Sequence, residues 1–150
     1  MPEDNPFYGQ GSVTEQIWTL GHRNPLGIDF DEQGNLWVHE MGPRHGDELN
    51  LIEKGRNYGY PTVSQGDHYS GVKIPNHEDI PIFKSPELAW VPAISPAGFI
   101  IYKGDKFNSW KGNGFIGGLS SKALVRVAFN KDDKGKWKVE EAEPVSYTHL

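Results

Sequence analysis

The sequence contains no cysteine, which excludes disulfides, thiolate zinc sites and cysteine nucleophiles. The compartment stays open, because periplasmic proteins often have none. No apolar run approaches the roughly 20 residues that a membrane-spanning helix needs. Positive charge is scarce: 15 Lys and Arg face 20 Asp and Glu, for a formal net charge of −5 and a pI of about 5.6. Without a basic stripe, binding to a phosphate backbone has little electrostatic support, and nucleic acid is not an expected partner. Helical periodicity is missing too, since no stretch beyond about ten residues keeps apolar side chains at i, i+3, i+4 and i+7 without Gly or Pro intervening. Turn formers are abundant instead, with 18 Gly and 11 Pro. They follow no G-X-Y period, so collagen is excluded, and the apolar share is that of a globular chain.

Short apolar or alternating runs bounded by turn residues read as strands at 26–30, 36–39, 49–52, 99–102, 115–117, 123–129 and 137–141. Gly34-Asn35 supplies a tight hairpin turn that tolerates positive φ, and 130–135 joins a second hairpin in the same way. The last four runs, 99–141, form four consecutive antiparallel strands over about the span of one β-propeller blade. The stretch 17–52 supplies material for another blade. Between them, 57–97 is rich in Gly, Pro, His and Tyr and has no period, which marks a functional loop. The fold class is therefore all-β, a partial β-propeller of two to three blades. Because a propeller needs about four to eight blades to close, the chain is expected to be a fragment, and Met1 need not be its natural start. Residues 1–144 form the propeller segment, whereas 145–150 look like the translation of a transposon end used in preparing sequencing libraries. No strand or turn logic links that hexapeptide to what precedes it.

Three constellations carry chemistry. Arg23 and Asn24 precede the first strand; a guanidinium fork beside an amide suits an anionic, carbonyl-rich ligand, or else Asn24-Pro25 is an ordinary turn with Arg23 solvated. In 39–50, Gly42 and Pro43 offer bare carbonyls while Asp47 and Glu48 offer carboxylates, the hard-oxygen set of a calcium site. A charged surface turn, or a zinc site using His39 and His45, are the other readings of that stretch. Tyr58, Tyr60 and Tyr69 place hydroxyl-bearing rings on the long loop, fit either to stack on a flat ligand or to anchor the loop by packing. His68 and His77 read as solvent-exposed loop histidines.

Taken in order, Gly-His-Arg-Asn-Pro at 21–25, Glu-x-Gly-Pro-Arg at 40–44, Gly-Asp-Glu-Leu-Asn at 46–50, Gly-x-Asn-Tyr-Gly-Tyr-Pro at 55–61, Tyr-Ser-Gly-x-Lys-Ile-Pro at 69–75 and Gly-Asp-Lys-Phe-x-x-Trp at 104–110 resemble the soluble PQQ-dependent glucose/sorbosone and aldose sugar dehydrogenases. The resemblance runs over residues 2–140. It implies a six-bladed propeller that oxidises aldose sugars at C1 by hydride transfer to calcium-bound pyrroloquinoline quinone (PQQ), passes electrons to an external acceptor, and works in the periplasm or after secretion. Arg23, Asn24 and Tyr69 match positions that contact the cofactor. Gly42, Pro43, Glu48 and Tyr58 match positions that hold calcium in one or the other branch. Ser120 stands where some members carry a cofactor-contacting Lys, with Lys122 expected on the same face if the strand is regular. The general-base His of the resemblance lies upstream of Met1, so this chain alone is expected to be inactive. The other class of function that the fold admits is a non-catalytic calcium-binding propeller that binds a protein or carbohydrate ligand.

Overall fold

A computed structural model describes residues 1–142 and the backbone of Ser146–Tyr147. A 3-10 turn at Ser12–Gln16 is followed by strands β1 (Pro25–Phe30), β2 (Leu36–Glu40), β3 (Asp47–Ile52) and β4 (Leu88–Trp90), which form one antiparallel sheet in that order. Strands β5 (Pro96–Ile101), β6 (Gly114–Gly118), β7 (Ala123–Lys131) and β8 (Trp137–Glu141) form the second. Two sequential four-stranded meanders packed face to face are two adjacent propeller blades, the partial propeller that the turn spacing predicts. The described part of the 145–150 segment is Ser146–Tyr147, which pairs with β7 as a two-residue strand, β9. The expectation that the segment is foreign otherwise falls outside the described residues.

The sequence places seven of these strands and misses β4. That strand has three residues and follows a connection with no period, and it is recruited by β3 through the pairs Asp47↔Trp90, Glu48↔Ala89 and Leu49↔Leu88. Residues 17–20 contribute no strand to the blade, only an isolated parallel bridge from Leu20 to Asn57.

The same carboxylate device closes both hairpins. Asp31 Oδ1 accepts the Gln33 and Asn35 backbone N–H groups at 2.9 Å, and Asp132 Oδ1 accepts those of Lys134 and Lys136 at 2.9 Å. Gly34 (φ 83°) and Gly135 (φ 76°) provide the left-handed residue that each turn requires. Asp31 also accepts Trp37 Nε1 at 3.1 Å, which aims the indole at the neighbouring blade. There Trp37 meets Phe129 with ring centroids 4.5 Å apart and Trp137 edge-on at 5.1 Å. Trp37, Leu49, Trp90, Ile94, Phe99, Ile101, Ile116, Val125 and Val127 form the core between the blades. Full burial of an aliphatic side chain such as Leu49 or Ile116 contributes about 1.5–3 kcal/mol.

Polar pins fix the blades relative to each other. Asp47 accepts Gly42 N–H through Oδ1 at 3.0 Å and the Ile94 and Ser95 N–H groups through Oδ2 at 2.8 Å. Buried His39 donates Nε2–H to Gly98 O at 3.1 Å. Gly27 lies so close to it that a Cβ there would sit 2.4 Å from His39 Nε2. Because the strands alternate in direction, the segments 22–24, 41–46, 91–95 and 119–122 gather at one end of both sheets. On the face of β1 away from the second blade, Leu26, Ile28 and Phe30 stay exposed.

Candidate functional site

At that end, a narrow cleft is lined by Arg23, Glu40, Gly42, Pro43, Glu48, Tyr58 and Tyr60, among others. Its floor follows from register. Glu40 and Glu48 are direct cross-strand partners on β2 and β3, so their side chains leave the same face of the sheet, and Asn50, two residues on, shares that face. Like charges set opposite each other on neighbouring strands oppose folding. The sequence resolves the conflict unequally.

Glu40 is buried and fully hydrogen-bonded. Its Oε1 accepts His22 Nδ1–H at 2.8 Å and Asn50 Nδ2–H at 2.9 Å, while Oε2 accepts Arg23 N–H at 2.6 Å and Asn24 N–H at 3.4 Å. Glu48, 8 % exposed, accepts from Asn50 Nδ2 at 3.3 Å. Burial, reinforced by the facing Glu40 carboxylate, pushes the Glu48 carboxyl from the ordinary 4.5 up to about 8, against the weaker opposing pull of the Asn50 and Gln65 donors. Asn50 Oδ1 is a buried acceptor that no described residue satisfies. The Gly42 and Pro43 carbonyls are in buried residues and accept no hydrogen bond from a described residue.

Arg23 rises over this floor. Its Nη1 donates to Met41 O at 2.9 Å, and its guanidinium sits 5.8 Å above the Tyr60 ring centroid. The other guanidinium donors have no partner among the described residues. Arg23, Gly42, Pro43 and Glu48 thus line one cleft, and the orphaned Asn50 amide lies behind it, two residues from Glu48 on the same strand face. That donor set fits a hard cation, which takes carbonyl and carboxylate oxygens and favours the ionised carboxylate. Among the described residues no cluster of three or more His, Cys, Asp or Glu side chains could hold a metal, so any cation here would rely on backbone oxygens and on its ligand.

Of the sequence candidates, Arg23, Gly42, Pro43, Glu48 and Tyr58 come together in the cleft, with Asn24 exposed beside Arg23. Tyr58 is used largely for packing: its hydroxyl donates to Leu51 O at 2.5 Å and accepts Glu53 N–H at 2.9 Å, and its ring stacks on His22 at 4.5 Å. Its carbonyl accepts His77 Nε2–H at 2.9 Å. Tyr69 is 72 % exposed and does not line the cleft. Ser120, at the same end of the sheets, donates its hydroxyl to Ala93 O at 2.8 Å. The 119–122 segment is a turn with Lys122 at φ 53°, so the strand alternation expected to align Ser120 with Lys122 does not apply.

Three further readings change. Asp47 does not line the cleft and serves the backbone instead, Oδ1 accepting Gly42 N–H and Oδ2 accepting those of Ile94 and Ser95. His39 is enclosed between the blades and His45 accepts Ala93 N–H from its loop at 3.4 Å, which leaves no zinc pair. His77 is buried against Tyr58 O and Gln65, not exposed. The residues that sequence reasoning passed over are His22, Glu40 and Asn50. Period-2 spacing of Glu48 and Asn50 on one strand was the available signal.

Two sequential four-stranded antiparallel blades, with a polar cleft at their loop end, define a segment of a β-propeller. The chain belongs to the glucose/sorbosone dehydrogenase family: the model described as "Glucose / Sorbosone dehydrogenase" matches residues 1–149. It is 38 % identical over 135 residues to the aldose sugar dehydrogenase YliI of Escherichia coli, covering 88 % of this chain and 36 % of that protein. It is 35 % identical over 133 residues to quinoprotein glucose dehydrogenase B of Acinetobacter calcoaceticus, covering 89 % and 27 %. The crystal structure of the soluble E. coli aldose sugar dehydrogenase in its apo form superposes with a TM-score of 0.83 at 37 % identity, over 96 % of this chain and 41 % of that one. The PQQ-bound aldose sugar dehydrogenase of Streptomyces coelicolor shares the fold, with a TM-score of 0.61 at 24 % identity over 95 % of this chain and 36 % of that one. The chain therefore spans well under half the length of these relatives. No helix among the described residues is long and apolar enough to cross a membrane.

Proposed function

We propose that the complete protein carrying this chain is a PQQ-dependent aldose sugar dehydrogenase, periplasmic or secreted, and that residues 1–144 supply two blades of its six-bladed propeller with part of the cofactor and calcium site, while 145–150 are foreign to it. The observation that carries this reading is the cleft itself, lined by Arg23, Glu48 and by Gly42 and Pro43, whose carbonyls accept no hydrogen bond from a described residue. Calcium-bound PQQ, when present, supplies a two-electron acceptor for hydride from aldose C1, with the cation withdrawing charge from the quinone.

Each residue then has a task that its chemistry allows. Gly42 and Pro43 would offer the cation hard backbone oxygens, at no cost in charge repulsion. Glu48 would serve as an anionic ligand or counter-charge once ionised beside a cation, which would remove the penalty of burying an ionised group alone. Tyr58 lies at the same floor, where its carbonyl keeps a lone pair beyond the one used by His77. Arg23 presents a planar donor fork to carboxylate or quinone oxygens, and it would stabilise negative charge growing there during turnover. Asn24, exposed next to it, adds a neutral amide. Tyr69 and Ser120, both exposed, would add a ring and a hydroxyl to the cofactor contacts. None of the cleft residues is given the removal of the C1 hydroxyl proton; their tasks are to bind and orient, so this chain by itself is not expected to turn over, and in the complete enzyme the electrons would leave to an external acceptor.

The test is dye-linked oxidation of a panel of aldoses by the complete protein reconstituted with calcium and PQQ. Activity that requires both, and that chelation during reconstitution prevents, is expected. Calcium binding without oxidation of any aldose would favour the non-catalytic propeller that binds a protein or carbohydrate ligand.

A further inference from the structure

We propose that Glu40 is the positioning residue of the Arg23-Asn24 turn, which makes it a determinant of ligand binding that never touches the ligand; this rests on the functional reading above. Both Glu40 oxygens are consumed. Four donors, His22 Nδ1, Asn50 Nδ2, Arg23 N and Asn24 N, meet them at 2.6–3.4 Å, which uses the acceptor capacity of a carboxylate. A group so occupied is available neither to a cation nor to a substrate proton. It still lies buried beside a second carboxylate, where charge is tolerated only when hydrogen-bonded throughout.

What the arrangement does fix is the peptide backbone on either side of the Arg23 Cα. The Arg23 and Asn24 N–H groups are both gripped by Oε2, Asn24 O accepts Met41 N–H at 3.0 Å, and Arg23 Nη1 returns to Met41 O at 2.9 Å. The guanidinium is therefore aimed by a closed loop of bonds whose charged member is Glu40. His22 braces that carboxylate from behind: its Nδ1–H goes to Glu40, its Nε2 accepts from Thr19 Oγ1 at 2.9 Å, and its ring stacks on Tyr58. Since a small misplacement of a binding group erodes affinity and rate together, losing Glu40 should cost what losing Arg23 costs.

A double-mutant cycle in the complete apo protein tests this, with PQQ titrated in calcium and binding followed by tryptophan quenching. Glu40→Ala is expected to weaken PQQ binding by about 10-fold or more. The further loss from Arg23→Ala should then shrink to less than about 3-fold in the Glu40→Ala background, because both changes remove the same aimed guanidinium. Glu40→Gln keeps an acceptor for the two backbone N–H groups and should recover most of the affinity. Amide exchange at residues 23 and 24, measured without PQQ, should quicken by about 10-fold or more in Glu40→Ala. PQQ affinity equal to the parent's in folded Glu40→Ala, or losses that simply multiply, overturn the proposal. Should Glu40→Ala not fold, the cycle is run with Glu40→Met, which fills the space and offers no acceptor to the two backbone N–H groups, and losses that simply multiply with Arg23→Ala overturn the proposal. If the parent itself binds no PQQ, the functional reading fails, and unchanged amide exchange at 23 and 24 would overturn the positioning role separately.

Discussion

Replacing Glu48 by Gln should make the cation-free protein more stable at neutral and alkaline pH while removing its response to calcium. Glu48 is 8 % exposed and faces Glu40, so burial and the neighbouring carboxylate raise its pKa to about 8 from 4.5. An acid whose folded-state pKa is raised favours the fold fully only below its unfolded value. That contribution is lost progressively as pH rises from about 4.5 to about 8 and is gone above it. One pKa unit is about 1.4 kcal/mol, so the strain reaches at most about 5 kcal/mol above pH 8 and about 3 kcal/mol at pH 7. Gln keeps the carbonyl that accepts from Asn50 Nδ2 but has no charge to bury, so the variant loses this pH dependence. Calcium acts on the same strain, favouring the carboxylate and releasing its proton; its affinity for the parent should climb with pH, by no more than about tenfold per unit, and level off near 8. Denaturant unfolding of the complete protein and of Glu48→Gln at pH 5, 7 and 9, with calcium and with chelator, measures both effects. Identical pH profiles for the two cation-free proteins, or equal stabilisation of both by calcium, would refute the reasoning.

Arg23→Ala should weaken PQQ binding by roughly 10- to 150-fold, the value of one charge-assisted hydrogen bond, and Arg23→Lys should restore only part of it, as an equilibrium titration of the apo protein can show. His39 is held neutral by burial, which outweighs the Gly98 carbonyl and the Asp47 and Glu40 charges and lowers its pKa from 6.5. Its contribution to stability is complete above 6.5 and is lost as pH falls below that value; His39→Phe should flatten this acid limb in thermal unfolding, and an unchanged limb would acquit His39. Gly27→Ala should destabilise by about 1–3 kcal/mol or more, because its Cβ would meet His39 Nε2 at 2.4 Å and Phe99 Cβ at 2.5 Å. A denaturant midpoint that does not move would show that the two inner strands can spread apart.

Strands that carry their own period were legible in the sequence, and so were turns that need a left-handed residue. Leu36, Trp37 and Val38 make a short apolar run and the hairpin at Gly34 closes on Asp31, all within a few residues of each other. Long-range pairing was not legible. β4 is three residues whose only reason to be a strand is the edge of β3, about 40 residues earlier in the chain. The candidate site divides in the same way. Gly42, Pro43 and Glu48 were readable because their chemistry is local to one loop. Glu40 stands in a motif whose local sequence shows no role for it, because its importance comes from register with Glu48 and from donors 16 to 18 residues upstream. His77 was misplaced since its burial depends on how the 53–87 connection folds back over Tyr58. The apolar stripe of Leu26, Ile28 and Phe30 could be read as one face of a strand, but what covers it lies outside sequence patterning.

The central claim is that the cleft between 22–24 and 41–48 holds calcium and PQQ together. An equilibrium titration of the complete apo protein with PQQ, in calcium and in chelator, tests it most directly. Saturable binding of one PQQ per chain in calcium, lost in chelator and weakened in both Arg23→Ala and Glu48→Gln, is the result expected. Binding of the same strength in chelator, or unaltered in both variants, would place the cofactor elsewhere and contradict the account.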